Sequence, residues 1–230
     1  MKTVEPSGVI DSKKTAKAKA KWDRSSRFYD LMSRFMEGKR SRKWFVKLWS
    51  NVKGPQVLEV GVGTGRSFPF YPDSLDITAV DFSSGMLVRA KQKAHQLGRS
   101  VSLKQMDVQK LDFADNSFDT VVASCVFCSV PDPVLGFQEI QRVLQPGGRL
   151  VVLEHMRHSN KVVGKVMDLV NPLVVWLSGP AINRRTLDNI RQAGMEIEAA
   201  ENLALGGILK LIIAKPGKNG RQLSLDTETR

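Results

Sequence analysis

From residue 57 onward, short apolar runs alternate with stretches of helical periodicity. Val57-Leu58-Glu59-Val60, Leu75 to Val80, Val101 to Met106, Phe118 to Ala123 and Leu150 to Glu154 each read as a strand. Between them, Ser83 to Leu97 and Pro133 to Leu144 repeat apolar residues at helical spacing. Several of the strands are apolar at nearly every position, which predicts a parallel sheet covered on both faces. Pro146-Gly147-Gly148 is a tight turn into the fifth strand. Further on, Asn183 is a candidate cap for a helix that Gly194 ends. Two last strands are expected near Met195 to Glu201 and Leu209 to Ala214.

The flanks follow other rhythms. Phe28, Tyr29, Leu31, Met32, Phe35 and Met36 recur at helical spacing, and Trp44, Phe45, Leu48 and Trp49 follow after Gly38. Two amphipathic helices are therefore expected within residues 22–53, stopped at Gly54-Pro55. Residues 1–21 show no apolar periodicity and are expected to form a basic, solvated tail; residues 216–230 are expected to fray likewise. The domain between, 54–215, is interrupted at 160–182 by an apolar insertion. Three readings are open for it: a helix packed on the domain edge, a cap over a substrate, or a segment dipping into a membrane surface.

Charge adds a question about partners. Lys and Arg number 35 against 23 Asp and Glu, a net charge of +12. Residues 1–53 carry 15 of the bases and only 5 of the acids, so the main domain is nearly neutral. A basic N-terminal region suits an anionic membrane surface, nucleic acid, or simple solubility. The lysine-rich start has no apolar core of a secretory leader, and the insertion is too broken to span a bilayer. With two cysteines, a reducing, cytoplasmic setting is expected, with peripheral membrane contact as an extension.

The sharpest chemistry follows the first strand, in Glu59-Val60-Gly61-Val62-Gly63-Thr64-Gly65. Glycines there permit positive φ and close approach of backbone to a ligand. Asp81, ending the second strand, is placed to accept hydrogen bonds from both hydroxyls of a ribose. A dinucleotide site needs G-x-G-x-x-G, whereas Arg66 stands where the last glycine would be. A carboxylate at Glu59 would also repel a pyrophosphate. It suits a ligand carrying an ammonium and a sulfonium, so the pattern favours S-adenosyl-L-methionine over a dinucleotide.

Four segments, VLEVGVGTG at 57–65, AVDFSSGML at 79–87, MDVQKLDFADNSFDTVVAS from Met106 and RVLQPGGRLVVLEH at 142–155, resemble the class I S-adenosylmethionine-dependent methyltransferases. Within them the chain is most similar to phosphatidylethanolamine N-methyltransferases, quinone-biosynthesis C-methyltransferases and membrane-associated thiol methyltransferases. The resemblance implies an α/β fold: a Rossmann-like, seven-stranded, mostly parallel sheet with helices on both faces and a reversed last strand. It also implies roles. Glu59, Gly61, Gly63 and Gly65 would lie against the methionine part of the cofactor. Asp81 and Phe82 would lie at the ribose, and Met86 would flank the adenine. Asp107 and Val108 would meet the adenine edge, and Ser124 would line the pocket near the methyl. Tyr29 would cover the cofactor from an N-terminal helix, and the insertion at 160–182, after the fifth strand where the resemblance puts substrate-specific insertions, would be the cap over the substrate.

Ordinary readings stand beside these. Asp107 could instead cap a turn before Leu111, and Tyr29 could be helix core. Cys125 and Cys128 form a C-x-x-C without a second pair or a histidine cluster, so pocket lining is preferred over a metal or redox site. His155 ends the fifth strand and is the candidate general base, or else a packed histidine. The expected activity is methyl transfer to a small or amphiphilic acceptor, a phospholipid amine first, then a quinone-like ring or thiol. A nucleic-acid methyltransferase is disfavoured: no N-P-P-Y-type motif follows the fourth strand, where Ser124-Cys125-Val126-Phe127 stands. A silent cofactor-binding protein is the remaining alternative. No metal is expected, and the oligomeric state is not encoded legibly.

Overall fold

The computed structural model describes residues 10–23, 39–177 and 180–217. In chain order these form helix α1 (residues 12–23), α2 (Lys39–Trp49), strands β1 (Gln56–Val60) and β2 (Asp76–Asp81), α3 (Ser84–Gln96), β3 (Ser102–Gln105) and β4 (Phe118–Ser124). There follow α4 (Pro133–Val143), β5 (Leu144–His155), α5 (Lys161–Leu177), α6 (Thr186–Gln192), β6 (Met195–Ala204) and β7 (Leu209–Pro216). The strands make one seven-stranded sheet in the order β3-β2-β1-β4-β5-β7-β6. Strands β1 to β5 pair in parallel; β7 runs antiparallel to both β5 and β6. This is the Rossmann-like α/β sheet with a reversed last strand that the sequence implies.

Side-chain alternation along the central strands divides the core into two layers. Leu58, Val60, Val121, Leu150 and Val152 point to one face, where Phe137 and Ile140 of α4 and Ile190 of α6 cover them. Val57, Val122, Val151 and Leu153 point to the other, against Leu48 and Trp49 of α2 and Ala90 of α3. Leu58 and Leu150 are wholly buried, and each such side chain stabilises the fold by about 1.5–3 kcal/mol. Helix starts are fixed locally. Ser83 Oγ accepts from Met86 N at 3.2 Å to begin α3; Asp132 Oδ1 accepts from Val134 N and Leu135 N, both at 3.1 Å, to begin α4. Chain order reverses between β1 and β4, which leaves a crevice at the carboxyl ends of the strands.

Three expectations change. Residues 12–23 are helical, where a solvated tail is expected. Ala16, Ala18, Ala20 and the lysines between them are strong helix formers, and Asp11 Oδ1 accepts from Lys14 N at 3.0 Å. No apolar stripe is needed to start such a helix. Asn183 does not cap α6: its Nδ2 donates to Asp168 Oδ1, and α6 begins after Arg185. The insertion does form a helix, α5, yet no described residue of 160–182 lines the central cavity. Its inward stripe is narrow: Gly164 and Met167 are buried, Asn171 and Val174 half-buried, and Arg157 packs over Gly164. Tyr29 and the other positions of the first expected helix lie outside the described residues, as do 218–230.

Candidate functional site

A cavity of about 700 Å³ lies over the carboxyl ends of β1, β2, β4 and β5. Glu59, Gly61, Gly63, Asp81, Phe82, Met86, Asp107, Val108, Ser124 and His155 all line it, although they come from positions spread over a hundred residues. Gly65 does not. A side chain there would run into the Phe68 ring, so this glycine lets the loop turn against Phe68. Gly61 and Gly63 both have positive φ, +64° and +57°. At Gly61 a Cβ would overlap Val126, whereas at Gly63 no described residue stands within 4 Å. One glycine thus permits the β1 and β4 loops to meet, and the other leaves bare backbone.

The carboxylates of β1 and β2 are held in place before any ligand arrives. Glu59 is buried on the strand itself, where Ser67 Oγ donates to it at 2.7 Å and Tyr71 Oη donates to Oε2. Asp81 accepts from Gly63 N and Ser83 N, both at 2.9 Å, one on each oxygen. Burial pushes the Glu59 carboxyl up to about 7 and Asp81 up to about 6, against the hydrogen bonds that favour their charged forms. Two desolvated acids beside an open glycine backbone form a place where a cationic ligand with hydroxyls gains most. Each Asp81 oxygen retains lone pairs for a ribose hydroxyl.

Asp107 combines both readings open for it. It lines the cavity, and it also holds a turn, accepting from Gln109 N at 2.9 Å and from Gln109 Nε2. On the β4–β5 side, His155 Nδ1 lies 3.3 Å from Cys125 Sγ. Burial, and then the nearby Arg66, hold the imidazole below its ordinary range, while burial pushes the Cys125 thiol up. A protonated thiol facing a neutral imidazole can donate to Nδ1, which leaves the ring proton on Nε2, or accept from an Nδ1–H. Cys125 takes φ +55°, an uncommon conformation for a side-chain-bearing residue. Among the described residues no three His, Cys, Asp or Glu gather as a metal-binding group.

Several contributors escape a reading of the sequence. Trp22 of α1 and Trp44, Phe45 and Lys43 of α2 complete the cavity wall, with Arg66 standing over the Phe45 ring at 5.6 Å. Asp23 accepts from Ser83 Oγ and from Gly85 N, so α1 is tied to the start of α3 beside Asp81. Ser67 and Tyr71 were findable in principle. A buried acid needs donors, and hydroxyls within a turn or two of the loop are the nearest. Glu154 is wholly buried, and its Oε2 accepts from Val126 N at 3.0 Å and Phe127 N at 2.9 Å.

Comparison with known proteins accounts for this geometry. Residues 58–152 match the family described as a methyltransferase domain. The chain is 40% identical over 143 residues to a phosphatidylethanolamine N-methyltransferase of Cereibacter sphaeroides, covering 60% of this chain and 70% of that one. The chain belongs to the S-adenosylmethionine-dependent methyltransferases. It is also 36% identical over 126 residues to a ubiquinone/menaquinone biosynthesis C-methyltransferase of Bdellovibrio bacteriovorus, spanning 54% of each chain, about half of that relative's length. In fold it is similar to a methyltransferase from Aquifex aeolicus at a TM-score of 0.60 and 18% identity, over 84% of this chain and 97% of that one. The cofactor of this methyltransferase is S-adenosyl-L-methionine.

Proposed function

We propose that this methyltransferase acts on a phospholipid amine, with a quinone-like ring and then a thiol as the next acceptors to test. The observation that carries the choice is the composition of the cavity wall away from Glu59 and Asp81. There Trp44, Phe45, Leu203, Leu205 and Leu209 supply apolar surface, and Lys43 and Arg66 supply positive charge. That pairing fits an amphiphile whose polar group carries a phosphate beside the amine. The likeness to a phosphatidylethanolamine N-methyltransferase supports the same reading.

S-adenosylmethionine supplies an electrophilic methyl group on a sulfonium. The protein's task is to bind, orient and keep the reaction dry. Asp81, with Phe82, would hold the ribose; Met86, Asp107 and Val108 would frame the adenine; and Glu59 with the backbone of Gly61 and Gly63 would face the cationic amino-acid part. Ser124 and His155, which line the same cavity, would border the point where the acceptor meets the methyl. An amine acceptor arrives protonated and must lose that proton before its lone pair can attack, and His155, kept neutral by burial, is the candidate base. No described helix is long and apolar enough to cross a membrane, so a lipid acceptor would be met at a bilayer surface, which we place on the cytoplasmic side.

The deciding experiment incubates the purified protein with methyl-labelled S-adenosylmethionine and separate pools of detergent-dispersed phosphatidylethanolamine, reduced quinone precursors and small thiols. Label in monomethylated phosphatidylethanolamine is expected. Label confined to the quinone or thiol pool would replace the phospholipid reading with that one.

A further inference from the structure

The most exposed apolar surface of the described chain is the outer face of α5. Val162, Val166, Leu169, Leu173 and Trp176 follow one another at steps of four and three, a continuous stripe along the helix. Leu169 is 81% exposed and Trp176 76%. The opposite stripe, Gly164, Met167, Asn171 and Val174, faces the protein. This inverts the usual amphipathic arrangement of a surface helix, in which the larger apolar residues face the core.

The helix cannot easily roll to hide that stripe. Arg157 Nη2 pairs with Asp168 Oδ2 at 2.9 Å, and Asn171 Oδ1 accepts from Ile182 N at 2.9 Å. Just past its end, Ala181 N donates to Cys128 O at 2.9 Å, beside Ser129, Val130 and Pro131 of the cavity wall. On the other side α1 abuts the same end, with Lys21 Nζ donating to Val175 O at 3.1 Å. The next residue, Trp22, lines the cavity. The apolar stripe is therefore coupled at one end to two walls of the acceptor cavity.

We propose that the outer face of α5 is a docking surface for an anionic phospholipid bilayer, with the stripe inserted at the interface and the lysines at its two ends on the headgroups. The choice of occupant rests on charge. Lys161 and Lys165 are exposed on α5 beside Val162 and Val166, and Lys21 of α1 meets the other end of the helix at Val175 O. Lysines flanking an apolar stripe repel their own image in a second copy, whereas each lysine near an anionic surface is worth about 1 kcal/mol. A tryptophan at one end is placed as aromatic residues are at membrane interfaces. The proposal rests on the lipid-acceptor reading for its purpose but not for its measurement.

The test is co-sedimentation of the full chain with vesicles of phosphatidylcholine alone and with 30% phosphatidylglycerol. Binding to the anionic vesicles that weakens with added salt is expected, with quenching of Trp176 by brominated lipid that a Trp176→Phe variant loses. Leu169→Asp with Leu173→Asp should lower vesicle affinity by about tenfold or more, since two large side chains leave the apolar phase. Unchanged S-adenosylhomocysteine binding by calorimetry would show that this variant is folded. Equal vesicle binding by variant and parent would overturn the proposal. So would a wild-type dimer that the double variant dissociates, with no vesicle binding by either. Neither result touches the acceptor assignment, which is read separately on detergent-dispersed lipid.

Discussion

Two buried glutamates end neighbouring parts of the same sheet and do different work. Glu59 on β1 and Glu154 on β5 are equally hidden, and burial pushes both carboxyls up to about 7. Glu59 is fastened by side-chain hydroxyls, Ser67 and Tyr71, and still borders the cavity. Glu154 lies behind the cavity wall and binds backbone, the N–H groups of Val126 and Phe127. Its other oxygen has no hydrogen-bond partner among the described residues. Burial and a raised pKa are thus no guide to role; what separates ligand from scaffold is which groups face the carboxylate. The β1–β2 side presents acids to a ligand, while the β4–β5 side uses an acid to hold the loop that carries Cys125.

The largest expected effect is on the ligand side. On the proposed reading, Asp81→Ala removes a prepositioned acceptor of two ribose bonds, and hydrogen bonds to charged groups contribute about 1.5–3 kcal/mol each. Cofactor affinity measured by calorimetry should fall by about a hundredfold or more; wild-type affinity in the variant would remove Asp81 from the site. On the scaffold side, Glu154→Ala strands two buried N–H groups at about 1–3 kcal/mol apiece. It should lower the unfolding midpoint markedly while leaving cofactor affinity in the folded fraction nearly intact. Glu154→Gln, which keeps an accepting oxygen, should be milder. If instead Glu154→Ala abolished cofactor binding in a protein of unchanged stability, the two glutamates would not differ as described.

Proton linkage separates them further. Both carboxyls hold their protons in the folded chain to about pH 7, against 4.5 for an ordinary glutamate. Between those values the folded state binds protons that the unfolded chain has released, so both glutamates lower stability as pH rises through this window. Ligand binding should run the other way for Glu59 alone. A cationic ligand favours its carboxylate, so affinity for S-adenosylmethionine should climb several-fold between pH 6 and pH 8. Glu59→Gln should flatten that climb, and Glu154→Gln should leave it. Equal flattening by both would mean that the ligand does not sense Glu59 directly.

The legibility of the two sides in the sequence differs for the same physical reasons. Strands β1, β2 and β4 and the glycine loop announce themselves because an apolar run and a positive φ each demand particular residue types. Asp81 is legible because a strand end at the reversal of chain order is where ligands bind. The partners of Glu59 and Asp107 are hidden, since a hydroxyl or amide turned inward looks in sequence like any other Ser, Tyr or Gln. Glu154 reads as one more strand residue, for nothing local shows that the β4 loop will fold back onto it. Helix α1 is missed because alanine and lysine form helices without an apolar stripe. The apolar residues of α5 are visible at once, but not that they face outward.

The smallest effect tests the finest feature of the β4–β5 side, the contact between Cys125 and His155. The two atoms are 3.3 Å apart, and burial keeps the thiol protonated, so the thiol is available as a donor to Nδ1. A donor to Nδ1 stabilises the neutral ring and locks its proton on Nε2. Cys125→Ala removes that donor without adding charge. Nitrogen chemical shifts of the imidazole should then move from a single Nε2–H tautomer toward a mixture, and the His155 pKa should rise slightly. If His155 is the base proposed above, its proton enters at Nδ1, so freeing that atom should raise the rate with an amine acceptor above neutral pH, where the ring is neutral in both proteins. An unchanged tautomer in the variant would show that the thiol only fills space, and would leave desolvation alone to set the histidine.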